Sequence, residues 1–281
     1  MTTTRTPSIL RRRLGRKLKR MREAAGLSLE EAALRLEKTR SSLHRAEHGK
    51  SRVDVHLARS MMDLYDQWDG DLLDDVREAL KPRWYQTYSP RDMGYVDLET
   101  EAVSVREFAV FTLPGLLQTE AYMRELFRTS GLRRTPEQFE NDVKVRLIRQ
   151  RRLSGDDEPL ELAIVIDESA LRREVGGPEV MRAQLRQVVA AAALPTVTVQ
   201  VLPLRGAPYG AVQGAFVLLS FPEPDEPDMQ YVSYSTGSLH IEDQTEVYAA
   251  RLLFDRLRSE ALGPADSLAL IERVSAELYG A

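Results

Sequence analysis

The chain has 281 residues, 43% of them hydrophobic and 29% charged, with no cysteine and a formal charge of −4. That length allows two domains, each with its own core, and the lack of cysteine excludes disulfides, thiolate metal sites and thiol nucleophiles. No apolar run approaches the roughly 20 residues that cross a bilayer, and no apolar signal core follows the basic N-terminus, so a cytoplasmic protein without a membrane partner is expected. The net charge hides a division. Residues 1–52 hold 15 Lys/Arg against 5 Asp/Glu, a charge of +10, while the rest holds 24 against 38, a charge of −14. A basic end on an acidic body points to nucleic acid as the partner of that end.

Residues 1–8 form a short polar tail. Over residues 9–25, Leu10, Leu14, Leu18, Met21 and Ala25 step by three and four, which predicts an amphipathic helix. Its other faces carry Arg11, Arg12, Arg13, Arg16, Lys17, Lys19, Arg20 and Arg22, with no acidic residue before Glu23. Such self-repulsion is better explained by phosphate contacts, to which Arg11, Arg12 and Arg13 are assigned, than by a solvated face.

Residues 28–49 read as two short helices joined by a tight turn. Leu29, Ala32, Ala33 and Leu36 mark the buried face of the first. Thr39 is a good N-cap for the second, which buries Leu43 and Ala46 and stops at Gly49. Arg40, Ser41, His44 and Arg45 are left pointing outward. Arg bonds guanine and Ser bonds several bases in the major groove, so a DNA-reading helix-turn-helix is expected. The flanking Lys38, Thr39, Lys50 and Arg52 are assigned to phosphates. Asp54 caps a fourth helix with Leu57, Ala58, Met61, Leu64 and Tyr65 inward, and residues 71–80 supply a fifth through Leu72, Leu73, Val76 and Leu80.

Residues 81–96 read as a linker or strap, whose Trp84, Tyr85 and Tyr88 more often pin a strap than stack on bases. A second domain is expected over residues 97–281, and the first over 1–80. A helix is predicted to about Ser104, an extended segment over 105–111, and helices over 119–130 (burying Tyr122, Met123, Leu126 and Phe127) and 136–153 (burying Phe139, Val143 and Leu147). Residues 160–166, LELAIVI, read as a central strand, and residues 196–202, TVTVQVL, as another. The helix opened by Gly176-Gly177-Pro178 lies between them, which predicts a parallel crossover unit. Strands follow over 215–221, 230–235 and 239–241. Asp243 and Glu246 are read as a capping pair for the next helix, and Pro264 opens the last, with Leu268, Ile271, Val274 and Leu278 on one side. The expected fold class is α+β overall: an N-terminal all-α five-helix domain and a C-terminal mixed α/β domain.

Five helices with a turn motif in the second and third resemble the phage-repressor and xenobiotic-response-element type of regulator. The resemblance rests on the Thr39 cap and on Glu47-His48-Gly49 closing the third helix. It implies base reading by Arg40, Ser41 and Arg45, with Ser42 and His44 nearby, and a structural ion pair between Arg22 and Glu47. Leu29 and Glu37 depart from that pattern, which usually has Gln and Gly at these places. The phrases LPGLLQTEAY at 113–122, VGGPEVMRAQL at 175–185, VTVQVLP at 197–203 and FPEPDEPD at 221–228 resemble the actinobacterial WhiJ-like, or antitoxin-like, regulators. That resemblance implies a transcriptional regulator with a small protein partner encoded nearby, or an antitoxin-like protein that sequesters such a partner and binds DNA for autoregulation.

An enzyme is not expected. Only His240 of the four histidines lies in the second domain; it sits near Glu242 and Asp243, and no HExxH spacing exists. No metal or cofactor is expected. The second domain is read as a small-molecule sensor, with a pocket near residues 114–119 and Tyr209-Gly210, or as a docking module, with residues 223–228 as its acidic face. Double-stranded DNA is the expected partner of a homodimer that reads an inverted repeat and is nucleoid-associated when bound. RNA ranks lower, because no aromatic sheet motif of single-strand readers is present.

Overall fold

A computed structural model describes residues 8–88, 93–131, 133–155, 159–205, 214–223, 226–234 and 236–280. Residues 1–7 of the expected tail, Tyr209-Gly210 and parts of the strap and of the acidic segment lie outside these residues. The chain divides into two compact units. The first runs to Thr87 and takes in residues up to Leu98, and the second comprises the chain from Glu99 onward together with residues 88–91.

The first unit is all helical: α1 (Ile9–Ala24), α2 (Leu29–Arg35), α3 (Arg40–Glu47), α4 (Val55–Tyr65) and α5 (Gly70–Leu80). Polar side chains start each of the last four. Ser28 and Glu31 form a capping box on α2, and Thr39, Asp54 and Asp69 accept backbone N–H groups at the starts of α3, α4 and α5. Leu14, Leu18, Met21, Ala32, Leu43, Ala58, Met61, Leu72 and Val76 meet in one core. Met62 joins them fully buried, whereas Leu57 and Leu64 are only partly buried. A one-turn 3-10 segment (Trp84–Thr87) follows, and α6 (Met93–Glu101) begins four residues before the expected domain start. Asp97 ties α6 to the first unit: its carboxylate accepts from the Ile9 backbone N–H at 2.7 Å and from the Tyr85 hydroxyl at 2.5 Å.

The second unit is a mixed α/β domain. Its strands are β1 (Ser104–Ala109), β2 (Glu161–Asp167), β3 (Val197–Leu202), β4 (Phe216–Ser220), β5 (Met229–Tyr234) and β6 (Gly237–Ile241), in the order β3-β2-β1-β4-β5-β6. β2 pairs with β3 in parallel, as the crossover reading expects; β1 also runs parallel to β2, and β4, β5 and β6 continue antiparallel. The helices are α7 (Glu120–Thr129), α8 (Pro136–Gln150), α9 (Glu168–Arg172), α10 (Pro178–Ala191), α11 (Gln244–Glu260) and α12 (Pro264–Tyr279). Alternation on β1 sends Phe108 into a core with Val165, Phe216, Leu218 and Phe254 of α11, so Glu107 faces the other side of the sheet.

An edge strand presents unpaired backbone groups, and β3 has its edge covered. Val201 N–H donates to the Ser267 hydroxyl at 2.9 Å, and Leu262 N–H donates to the Val201 carbonyl at 2.9 Å. In the second unit α8 buries Val143, Val145 and Arg149, while Phe139 and Leu147 are only partly buried. The inward helix face therefore differs from the apolar stripe expected. Arg149 is paired with buried Glu99 through two hydrogen bonds of 2.6 and 2.5 Å.

Candidate nucleic-acid interface

The placement of α3 follows from one buried charge pair and two glycines. Arg22, in the last turn of α1, donates from Nε and Nη2 to the Glu47 carboxylate at 2.6 and 3.0 Å. Its Nη1 donates to the Leu27 carbonyl at 2.8 Å, so one guanidinium joins α1, the following loop and α3. Arg22 is 7% exposed and Glu47 2%, which makes this a bidentate pair withdrawn from water. At Gly15 a Cβ would lie 2.6 Å from the Glu47 carbonyl oxygen, so only glycine lets α1 approach α3 this closely. Gly49 ends α3 at φ +67°, and a Cβ there would meet the Arg12 backbone nitrogen at 2.7 Å.

With Leu43 and Ala46 buried, the opposite face of α3 is solvent-facing. Arg40, Ser41, His44 and Arg45 are exposed, and Ser42 is half-buried beside the Thr39 cap, which accepts its N–H at 3.1 Å. Lys38, Thr39, Lys50 and Arg52 are exposed around this helix. On α1, Arg11 and Arg13 are partly exposed, whereas Arg12 is buried at 8% exposure. Burial, and after it the neighbouring Arg52 charge, hold the Arg11 guanidinium pKa below its ordinary value. Lys17 points elsewhere, salt-bridged to Asp69 at 2.9 Å and Asp75 at 3.0 Å.

Three features of this surface were not visible in the apolar periodicity. Glu30 on α2 pairs with Arg40, Oε1 to Nε at 2.5 Å. The His44 and His48 rings stack at 3.9 Å, and the charge of His48, followed by burial, lowers the His44 pKa. Gly15 is the third. Each depends on two residues that meet only when separate helices, or successive turns, are in place. The two departures from the repressor pattern have structural counterparts. Leu29 is partly buried against the first core, and Glu37 holds φ +54°, the left-handed region that favours glycine.

The second unit uses its phrase LPGLLQT as an internal fastening. Gln118 Nε2 donates to the Leu113 carbonyl at 2.6 Å, and Gln150 Nε2 donates to the carbonyls of Gly115 and Gln118 at 3.1 and 2.7 Å. Gln184 Nε2 donates to the Leu117 carbonyl at 2.8 Å, and its Oε1 accepts from Thr119 N–H at 2.7 Å. These backbone groups are thereby satisfied within the domain. His240 lies beside the Tyr231 ring at 5.4 Å. Among the described residues, no three His, Asp or Glu side chains group where they could hold a metal. No helix among them is long and apolar enough to cross a membrane.

An exposed, basic helix-turn-helix followed by a mixed α/β domain is consistent with a regulator-type architecture, and the first unit with DNA contact. Residues 13–76 match the family described as a helix-turn-helix domain, and residues 93–273 match a domain of unknown function, DUF5753. The chain belongs to the DUF5753 family. No curated protein and no solved structure matches it.

Proposed function

We propose that this protein is a sequence-specific DNA-binding transcriptional regulator of the WhiJ-like type, a homodimer that places α3 of each subunit in one major groove. The observation that carries this reading is the outward face of α3, with Arg40, Ser41, His44 and Arg45 exposed and the helix locked from behind by the Arg22–Glu47 pair. Arg40, Ser41 and Arg45 read base edges, with Ser42 and His44 beside them. Lys38, Thr39, Lys50, Arg52, Arg11 and Arg13 hold the phosphate backbone, whereas Arg12, expected to join them, is buried at 8% exposure. Dimers of this motif read half-sites about 34–36 Å apart, so the operator is an inverted repeat. The C-terminal domain takes the controlling input from a small partner protein or a ligand.

Selection of bound duplexes from a randomised pool tests the reading directly. The wild-type protein is expected to enrich an inverted repeat. Arg40→Ala and Arg45→Ala are each expected to lose about 1–3 kcal/mol of discrimination at one base position per half-site. Recovery of no preferred sequence by the wild-type protein would overturn the proposal.

A further inference from the structure

On the reading that Arg40 contacts a base, the geometry points to Glu30 as the positioning residue that aims it. Arg40 is the first residue of α3, where the positive end of the helix dipole opposes a cation. It is balanced across the turn by Glu30, whose Oε1 lies 2.5 Å from Arg40 Nε. Glu30 is free for this task because the N-terminus of α2 is already capped by Ser28 and Glu31. The salt bridge engages the Nε edge of the guanidinium, which leaves the Nη groups to meet the O6 and N7 acceptors of a guanine.

The pair is not there for stability. Arg40 and Glu30 side chains are 68% and 62% exposed, and ion pairs so placed contribute little to folding. Its consequence lies in the balance between specific and non-specific binding. A carboxylate beside the reading helix repels phosphate wherever the protein lands on DNA. Only at a site where Arg40 finds its base is that cost offset, because there the orientation held by Glu30 is used. Glu30 thus acts with opposite signs on the two kinds of binding: it weakens contact with any sequence and sharpens preference at the Arg40 position.

The full-length protein and its Glu30→Ala, Arg40→Ala and double variants, each presented with a randomised duplex pool and with one fixed unrelated duplex, test this. Glu30→Ala is expected to lower the preference at the Arg40 base about two- to fivefold, as the loss of one exposed ion pair allows. It should leave the other positions unchanged and bind the unrelated duplex at least as tightly as wild type. The double variant should show the same base preference as Arg40→Ala alone, since Glu30 acts through Arg40. An unaltered preference at that position in Glu30→Ala, or an equal loss at every position, overturns the role of Glu30. Failure of the wild-type protein to enrich any sequence overturns the DNA-reading role itself, which is a different result. Because Glu30 is exposed, the melting temperatures of Glu30→Ala and wild type should coincide.

Discussion

Arg22 and Glu47 stand 25 positions apart, and burial makes each dependent on the other. Removing one partner of a buried pair leaves an uncompensated charge, whereas replacing both with apolar groups of similar size removes the problem along with the interaction. Glu47→Ala is accordingly expected to destabilise the first unit by about 3–5 kcal/mol, and Arg22→Met with Glu47→Leu by much less, as read by denaturant melts. In the second unit, Glu107 sits mid-strand where burial and the charge of Glu99 raise its pKa from 4.5 to about 7, against the opposing effect of Arg149 and Arg146. The native state therefore holds a proton that the unfolded chain has released between pH 4.5 and about 7. Stability from this carboxyl is greatest below that window and is lost as pH rises through it. Glu107→Gln, which keeps the shape of the neutral acid, is expected to flatten that fall and to gain about 1–3 kcal/mol above pH about 7 in thermal melts.

At the scale of elements, α3 is held by its neighbours more than by its own propensity. An eight-residue helix is too short to persist alone in water, so the Thr39 cap, the Gly49 stop and the close approach at Gly15 specify its position. The turn before it carries a cost: Glu37 sits at φ +54° without the freedom of glycine. Glu37→Gly is expected to stabilise the first unit by about 0.5–1 kcal/mol, seen as a raised melting temperature without loss of DNA binding. The position of this strain was legible as a residue type out of place in a turn. The inward face of α8 was not. Apolar periodicity pointed to Phe139, Val143 and Leu147, but Arg149 turns inward because Glu99 is there to receive it. A count of apolar residues is blind to a buried charge whose partner lies 50 positions away.

At the scale of the whole molecule, the charge of +10 over residues 1–52 against −14 over the remainder makes the proposed DNA binding sensitive to salt. Each phosphate neutralised releases counterions, so log affinity falls with log salt by a slope of about 0.9 per contact. Replacing Arg11 and Arg13 by alanine is expected to weaken binding to all duplexes alike and to reduce that slope by about 1–2, measured by titration at several salt concentrations. A variant that altered base preference and kept the slope would contradict the assignment of these two side chains to phosphates.

The helix-turn-helix was readable from sequence because its signals are local: apolar spacing, an N-cap, a terminal glycine and a run of arginines each act within one or two helical turns. The strand–helix–strand crossover in the second unit was readable for the same reason, as periodicity changes along the chain. Tertiary structure alone decided that β1 joins β2 in parallel, that Glu107 lies on a covered sheet face, and that Glu30 meets Arg40 across the turn. Those contacts depend on where separate elements come to rest, and burial or pairing exists for a charge only once the second surface has arrived. Residue types alone mark positions 40–45 as candidates, but the groups that pair with this helix, Arg22 on α1 and Glu30 on α2, lie on the neighbouring helices.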